Sequence, residues 1–212
     1  MKKLLLLCTL SLILGMSGVA SATLINGGFE TGDFTGWNDL NGTLSNVVSG
    51  HMGSDNAYNP IEGTYFAELK AGASVAAVTG ITQTFDLQAG DVLSGFAAFD
   101  NKDCEVNNDR AFVRIYDSNG NPYATPWAEV GSDHLCYYDG PWTAWSFTPA
   151  ADGRFSVMFA VVQGQRGGGN PSYALFDAAT VSAGPVPEPA TVFLLGSGLV
   201  GLAGFGRKKF KK

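Results

Sequence analysis

The amino-acid sequence predicts an all-β domain, a β-sandwich of jelly-roll type, over residues 23–182. Short runs in which apolar and polar residues alternate recur along this body. Clusters of Gly, Asn and Asp separate the runs, which is typical of turns between antiparallel strands. No convincing amphipathic helix interrupts the pattern. We therefore expect eight or more strands.

The predicted strands follow one another at short intervals. Alternation is clearest over 81–87, where Ile81, Gln83, Phe85 and Leu87 share one face. Turn residues follow at 88–91, and again at 117–122 after a strand over 111–116. The other predicted strands cover 64–69, 92–99, 142–147, 154–162 and 174–182.

Residues 1–22 have the three parts of a secretory signal peptide. Lys2 and Lys3 precede an uncharged apolar run over 4–15, and the small residues of 20–22 form a site of the kind that signal peptidase cuts. A transmembrane anchor would need about 20 apolar residues, which is longer than this run. We expect signal peptidase to remove residues 1–22, so that the mature chain begins at Thr23.

The C-terminus forms a second signal. Residues 189–206 carry no charge, and at about 1.5 Å per residue a helix of this length spans roughly 27 Å, close to the thickness of a bilayer core. We predict a transmembrane segment over 190–206. A basic tail over 207–212 would stop translocation and stay cytoplasmic, through Arg207, Lys208, Lys209, Lys211 and Lys212. A plain tail anchor is the alternative to a processed signal.

Together with Pro187, Glu188 and Pro189, this tail resembles the PEP-CTERM sorting signal. The resemblance covers 186–212, and the predicted sorting signal over 187–212 follows a linker over 183–186. It implies that exosortase, a membrane-embedded enzyme similar to cysteine transpeptidases, recognises the three-residue motif. It also implies transient anchoring in the inner membrane and release to the cell surface or the extracellular matrix of a biofilm. The chain would be a substrate of this machinery.

The charge of the body differs from that of the whole chain. The chain has 13 basic and 19 acidic residues; seven of the basic ones lie in the two terminal signals, which leaves residues 23–189 with a net charge of −13. Such a surface argues against nucleic acid as a partner and suits an extracellular protein that binds cations.

Two cysteines, Cys104 and Cys136, remain after signal cleavage. In an oxidising compartment they are expected to pair, which would stabilise the fold by about 3–4 kcal/mol. The alternative is a reactive thiol beside His134, but no third group for such a site is evident.

The body opens with the sequence over 24–37 and closes with a predicted strand over 173–182 that carries an acidic residue. This opening, supported by the close, resembles that of galactose-binding-like, carbohydrate-binding-module jelly rolls. The resemblance implies a structural Ca²⁺ shared by Glu30 and Asp177. The family often has a second acid in the closing strand, where this chain has Ala178. The alternative is that Glu30 and Asp177 are separate, exposed acids.

Signatures of enzymes are few. The chain contains no Gly-x-Ser-x-Gly, His-Glu-x-x-His or phosphate-binding loop, and we expect its histidines, His51 and His134, to lie in exposed loops. Four acidic residues surround Cys104 in the sequence: Asp100, Asp103, Glu105 and Asp109. We expect this cluster to lie in a solvated loop, and cation binding is the alternative.

Aromatic residues near turns are candidates for contact with glycans, because their ring faces stack on sugar C–H surfaces. These candidates are Trp127, Tyr137 and Tyr138. Trp142 and Trp145, three residues apart, should point to opposite faces of a strand. The sequence thus predicts a non-enzymatic surface or matrix protein that binds exopolysaccharide. A protein-interaction or adhesion module without glycan affinity and a glycan hydrolase are the alternatives.

Overall fold

The structure is a computed structural model that describes residues 23–102, 108–133, 136–164, 170–184 and 196–198. Within these ranges the chain forms short and long β-strands, a 3-10 helix over Gly131–Asp133, and a helical stretch at 196–198. The strands are β1 (Asn38–Asp39), β2 (Ser45–Val48), β3 (His51–Met52), β4 (Ala57–Tyr58), β5 (Phe66–Lys70), β6 (Val78–Leu87), β7 (Val92–Asn101), β8 (Arg110–Tyr116), β9 (Pro122–Val130), β10 (Tyr138–Asp139), β11 (Thr143–Phe147), β12 (Gly153–Val162) and β13 (Tyr173–Ser182).

Two antiparallel sheets form the domain. The five-stranded sheet has the order β1-β6-β12-β8-β9, and the six-stranded sheet has the order β10-β7-β13-β5-β2, with β11 also paired to β7. Strands β3 and β4 form a separate two-stranded hairpin. The all-β sandwich predicted from the sequence is therefore confirmed.

The inner faces of the two sheets meet in an aromatic core. Phe159 of β12 stacks on Phe176 of β13 with ring centroids 4.6 Å apart, and Trp145 of β11 packs edge-on against Phe159 at 5.7 Å. Such aromatic pairs contribute beyond the area they bury. The predicted alternation is visible here, because Ile81, Phe85 and the other inward residues of β6 are buried.

The opening sequence over 24–37 closes one side of this core. Phe29 is fully buried and packs against Trp37, whose ring lies 4.9 Å from that of Phe159. Gln83 of β6 holds the start of the segment, since its side chain accepts the N–H of Ile25 at 2.7 Å and donates to the Ile25 carbonyl at 2.9 Å. The N-terminal segment is thus attached by a side chain in place of a strand ladder.

The strand register defines two ends of the sandwich. Ser182, the last residue of β13, pairs with Val92, and the 88–91 turn adjoins this pair; we call this side the tail end. Tyr173, the first residue of β13, pairs with Asp100 at the opposite side, which we call the far end. Ten residues of extended chain separate them, about 30 Å.

Candidate functional site

A hairpin covers the outer face of the six-stranded sheet near the far end. It consists of β3 and β4, in which His51 pairs with Tyr58. The carboxylate of Asp139 in β10 accepts three backbone N–H groups at the hairpin tip, from Ser54 at 2.9 Å, Asp55 at 2.6 Å and Asn56 at 2.7 Å. Burial opposes ionisation of Asp139, but these donors outweigh it and lower its pKa. Asp139 therefore anchors the hairpin as an anion.

An ion cluster lies beneath the hairpin. His51 Nδ1 is 2.6 Å from Glu68 Oε2, and His51 Nε2 is 2.7 Å from Asp100 Oδ2. Lys102 Nζ lies 3.1 Å from the same Asp100 oxygen and donates to Ser54 Oγ at 3.3 Å. The cluster connects β3 to β5 and β7, so it joins the hairpin to two strands of the sheet.

His51 carries a proton at neutral pH. Burial alone would lower the pKa of its imidazole, but the hydrogen bonds to Asp100 and Glu68 and their negative charges outweigh it and raise the pKa to about 9. Both ring nitrogens then donate, one to each carboxylate. The expectation of an exposed loop histidine is wrong for His51, whose side chain is only 7% exposed. His134 lies outside the described residues.

Of the four acidic residues around Cys104, the structure describes two, Asp100 and Asp109. Asp100 and Asp109 are fully buried, so the expectation of a solvated loop is wrong for these two residues. Asp109 Oδ1 accepts the N–H of Gly164 at 2.6 Å and the side-chain amide of Gln163 at 2.9 Å. Buried carboxylates require such donors, which sequence alone does not identify. Asp103 and Glu105 lie outside the described residues.

Aromatic side chains extend from the hairpin across the same face. Tyr58 contacts Trp142 edge-on at 6.2 Å between ring centroids, and Trp142 meets Phe66 at 5.6 Å. The indole N–H of Trp142 donates to the Asn59 carbonyl at 3.1 Å. Trp142 is half-buried on this outer face, whereas Trp145 lies in the core, so the two point to opposite faces as predicted.

Tyr137 and Tyr138 lie beside the hairpin, at the far end. Tyr137 is 51% exposed and has a φ of 60°, in the left-handed region that bulky residues rarely adopt. Tyr138 is half-buried, and Asn101 is its partner in β7. The backbone around Tyr137 is held on both sides, because β10 begins at the next residue and the preceding Cys136 is disulfide-bonded. Cys104, the predicted partner of Cys136, lies outside the described residues.

Trp127 does not belong to this surface. It lies in the core, is 7% exposed, and packs edge-on against Phe176 at 6.0 Å. The expectation that Trp127 forms an open platform is wrong, because β9 is a strand of the sandwich and directs this side chain inward opposite Val113. The prolines at 122 and 126 are typical of turns, but here they lie on an edge strand, where a missing N–H is tolerated.

Glu30 and Asp177 both contact the loop over 61–65. Glu30 accepts the N–H groups of Thr64 and Tyr65 at 2.9 Å, and Asp177 accepts that of Ile61 at 2.6 Å. Asp177 lies at a bulge in β13 and is fully buried, so it is not an exposed acid, and burial raises its pKa to about 6.

Calcium takes six to eight oxygen ligands. In the part of the chain that the structure describes, no group of three or more His, Cys, Asp or Glu side chains is arranged to hold a metal ion. The carboxylates of Glu30 and Asp177 instead bind backbone N–H groups, an arrangement that needs no cation. The Ca²⁺ ion stays a prediction.

Comparisons with known proteins bear on both parts of the chain. The fold is an antiparallel β-sandwich of two sheets, and three solved structures that are similar to it are the following. TmCBM61, solved in complex with β-1,4-galactotriose, is 17% identical over 76% of this chain and 97% of its own, with a TM-score of 0.47. A family 16 carbohydrate-binding module is 20% identical over 75% and 98%, with a TM-score of 0.44. The K3 adhesin domain of Lys-gingipain from Porphyromonas gingivalis is 13% identical over 77% and 100%, with a TM-score of 0.46. Each TM-score is below 0.5, so these likenesses carry no further conclusion.

The match of the C-terminal tail to a known motif is more specific than the likenesses of the fold. Residues 185–208 match the PEP-CTERM protein-sorting motif, so the chain carries this motif and is an exported protein. No curated protein sequence matches the chain. The predicted motif residues Pro187, Glu188 and Pro189 and the basic tail over 207–212 lie outside the described residues. Among the residues that are described, no helix is both long and apolar enough to span a membrane.

Proposed function

We propose that the chain is a non-enzymatic protein of the cell surface or extracellular matrix that exosortase releases and that binds exopolysaccharide. Signal peptidase removes residues 1–22, the tail holds the protein transiently in the inner membrane, and exosortase cuts near Pro187, Glu188 and Pro189. The sorting motif at 185–208 supports this route. The exposed ring of Tyr137 is the observation that carries the binding proposal.

Tyr137 has the properties of a sugar-stacking residue. Half of its surface is exposed, although its backbone is in a strained conformation that the neighbouring disulfide and β10 maintain. Because the backbone of Tyr137 is already fixed, less conformational entropy is lost there when a ligand binds. Tyr138, half-buried beside it, would extend the contact. Tyr137 lies at the far end, opposite the tail end at which β13 leads toward the sorting motif.

The environment of the ionisable groups supports a non-enzymatic role. His51 is buried between Glu68 and Asp100, and Asp139 is occupied by backbone donors. A general acid or base needs access to its substrate. The binding experiment can also favour one of two other functions, a protein-interaction or adhesion module without glycan affinity or a glycan hydrolase.

Binding of the purified body, residues 23–185, to exopolysaccharide of the producing strain tests the proposal. Tyr137→Ala should weaken binding about tenfold, since one stacked ring contributes about 1.4 kcal/mol. Tyr123→Ala is the matched control, because Tyr123 is also 51% exposed but lies at the start of β9 against Phe147 and Phe155.

The outcomes separate the three functions. Equal binding by Tyr137→Ala and Tyr123→Ala would remove Tyr137 from the proposal. Absence of binding by the unmodified body would favour a protein-interaction or adhesion module. Release of sugars from the polymer would favour a hydrolase.

A further inference from the structure

Carboxylates border the exposed ring of Tyr137. Asp139 lies two residues along the chain, and its Oδ2 atom accepts the N–H of Asp55 at 2.6 Å, so the exposed Asp55 of the hairpin tip lies at the same place. Burial and the negative charge of Glu129 together raise the pKa of Tyr138. Glu129 therefore lies within electrostatic reach of the second tyrosine of this surface.

A further carboxylate, that of Asp133, approaches the same surface through the 3-10 helix. The helix begins at Gly131, where a Cβ would lie 2.9 Å from Oδ1 of Asn101. Asn101 in turn pairs with Tyr138 across β7 and β10. Asp133 is exposed and lies two residues beyond Gly131, about 4 Å along a 3-10 helix. The end of this helix thus adds negative charge beside β10.

The two cations nearest to this surface are already paired with carboxylates. His51 is protonated and lies between Glu68 and Asp100, at 2.6 Å and 2.7 Å. Lys102 Nζ lies 3.1 Å from the same Asp100 carboxylate. Neither cation is therefore available to a negatively charged ligand at the hairpin.

Two other cations of the far end lie away from Tyr137. Lys70, Tyr173, Asp100 and Asp139 lie opposite one another on neighbouring strands, so the backbone of Lys70 is three strand spacings, about 14 Å, from that of Asp139. Arg110 begins β8 of the other sheet, and because the next residue points into the core, Arg110 points to the outer face of that sheet.

The surface around Tyr137 therefore carries a negative charge. Among the described residues of the hairpin, the 3-10 helix and the strands beside them, six carboxylates stand against two cations, a net charge of −4. The carboxylates are those of Asp55, Glu68, Asp100, Glu129, Asp133 and Asp139, and the cations are His51 and Lys102. A polymer with uronate or sulfate groups would be repelled here.

An amino sugar with a free amino group combines the two properties that this surface favours. Its C–H groups can stack on the ring of Tyr137. Its ammonium group is attracted by the face of the same ring and by the surrounding carboxylates. Acetylation of the amino group removes the positive charge but leaves the sugar ring available for stacking.

We propose that the polysaccharide bound at Tyr137 contains amino sugars with free, protonated amino groups. This inference rests on the glycan binding proposed above and names the class of glycan. Tyr137 supplies the contact with the sugar ring, and the carboxylates around it select the polymer by its charge.

The test is a binding titration of the protein purified from the producing bacterium with three hexasaccharides: β-1,4-linked glucosamine, its N-acetylated counterpart and galacturonate. The glucosamine hexamer should bind about fivefold more tightly than the N-acetylated one, the upper end of the range for one exposed ion pair. The galacturonate hexamer should bind most weakly. In about 1 M NaCl, where the Debye length is about 3 Å, most of the preference should disappear.

Variants locate the effect at Tyr137. Asp133→Asn should reduce the preference for the glucosamine hexamer about twofold, because one carboxylate of several is neutralised. Asp86→Asn is the matched control, since Asp86 is 76% exposed but lies near the tail end of β6, opposite Arg154, and it should leave the preference unchanged. Tyr137→Ala should weaken binding of the glucosamine and N-acetylated hexamers alike. A thermal melt of each variant identifies folding defects.

Two kinds of failure are distinguishable. A chain that binds exopolysaccharide of the producing strain, but binds the N-acetylated or galacturonate hexamer at least as tightly as the glucosamine hexamer or binds no hexamer, overturns the charge selection alone. Equal affinity of Tyr137→Ala and the unmodified chain for the glucosamine hexamer also overturns it, because the polycation then adsorbs elsewhere on the acidic body. A chain that binds neither exopolysaccharide nor any hexamer overturns the glycan function itself.

Discussion

Alkaline pH should loosen the β3–β4 hairpin, because the ion cluster beneath it depends on a protonated His51. The perturbation is a rise in pH from 6 to 9.5, applied to the unmodified body and to His51→Gln. Above the pKa of His51, one ring nitrogen stops donating, and the buried Asp100 and the partly buried Glu68 lose the positive charge between them. The hairpin strands and the adjoining strands of the sheet should then be less stable.

The magnitude follows from the two pKa values of His51. The folded value is about 9 and the ordinary value is 6.5. Because the folded value is the higher one, the stabilisation is fully present below pH 6.5 and is lost as the pH rises through 9. The difference corresponds to roughly 3 kcal/mol of unfolding free energy. For a domain of this size that loss lowers the Tm by about 6–12 °C.

The assay is urea denaturation followed by tryptophan fluorescence at closely spaced pH values. His51→Gln should start less stable and show a much flatter dependence on pH between 6.5 and 9. His134→Gln is the matched control, since the chain has only two histidines, and it should behave like the unmodified body. An unmodified body whose stability is constant over this interval would refute the reasoning, as would equal pH dependence in His51→Gln.

Two further predictions concern the covalent and ionic supports of the sandwich. If a Ca²⁺ ion joins Glu30 and Asp177, a chelator should lower the Tm of the unmodified body. The chelator should not lower the Tm of the double variant Glu30→Gln, Asp177→Asn. If the Tm of the unmodified body does not change on chelation, these carboxylates bind only the 61–65 loop. Cys104 and Cys136 should resist alkylation in the denatured, unreduced protein. Reduction should lower the unfolding free energy by about 3–4 kcal/mol. Alkylation of both thiols without reduction would exclude the bridge.

The sequence predicted the long strands well because their patterning is local. Strands β6, β12 and β13 alternate or are continuously apolar, and glycine-containing turns such as 88–91 mark their ends. The short strands β1, β3, β4 and β10 have two residues each, too few for a periodicity, and tertiary pairing alone defines them. Strand β9 was missed because its prolines are typical of turns.

The candidate site was predicted less completely, because its residues are far apart in the chain. His51, Glu68 and Asp100 meet only when β3 lies across β5 and β7. One signal was present, since Asp100 continues an almost uniformly apolar strand, and a buried carboxylate needs a charged or donor partner. No local pattern identifies that partner as His51. Tyr137 is exposed, as a residue near a turn is expected to be, and its contact with a glycan stays a prediction.

The mass of the exported protein tests the account most directly. The protein should be collected from outside the producing cells and measured intact, without reduction. We predict a chain that begins at Thr23, lacks the basic residues of 207–212, ends near Pro187, Glu188 and Pro189, and is about 2 Da lighter than its reduced form because of one disulfide. Exported protein that retains residues 207–212, or full-length chain found only in the cytoplasm, would contradict the account.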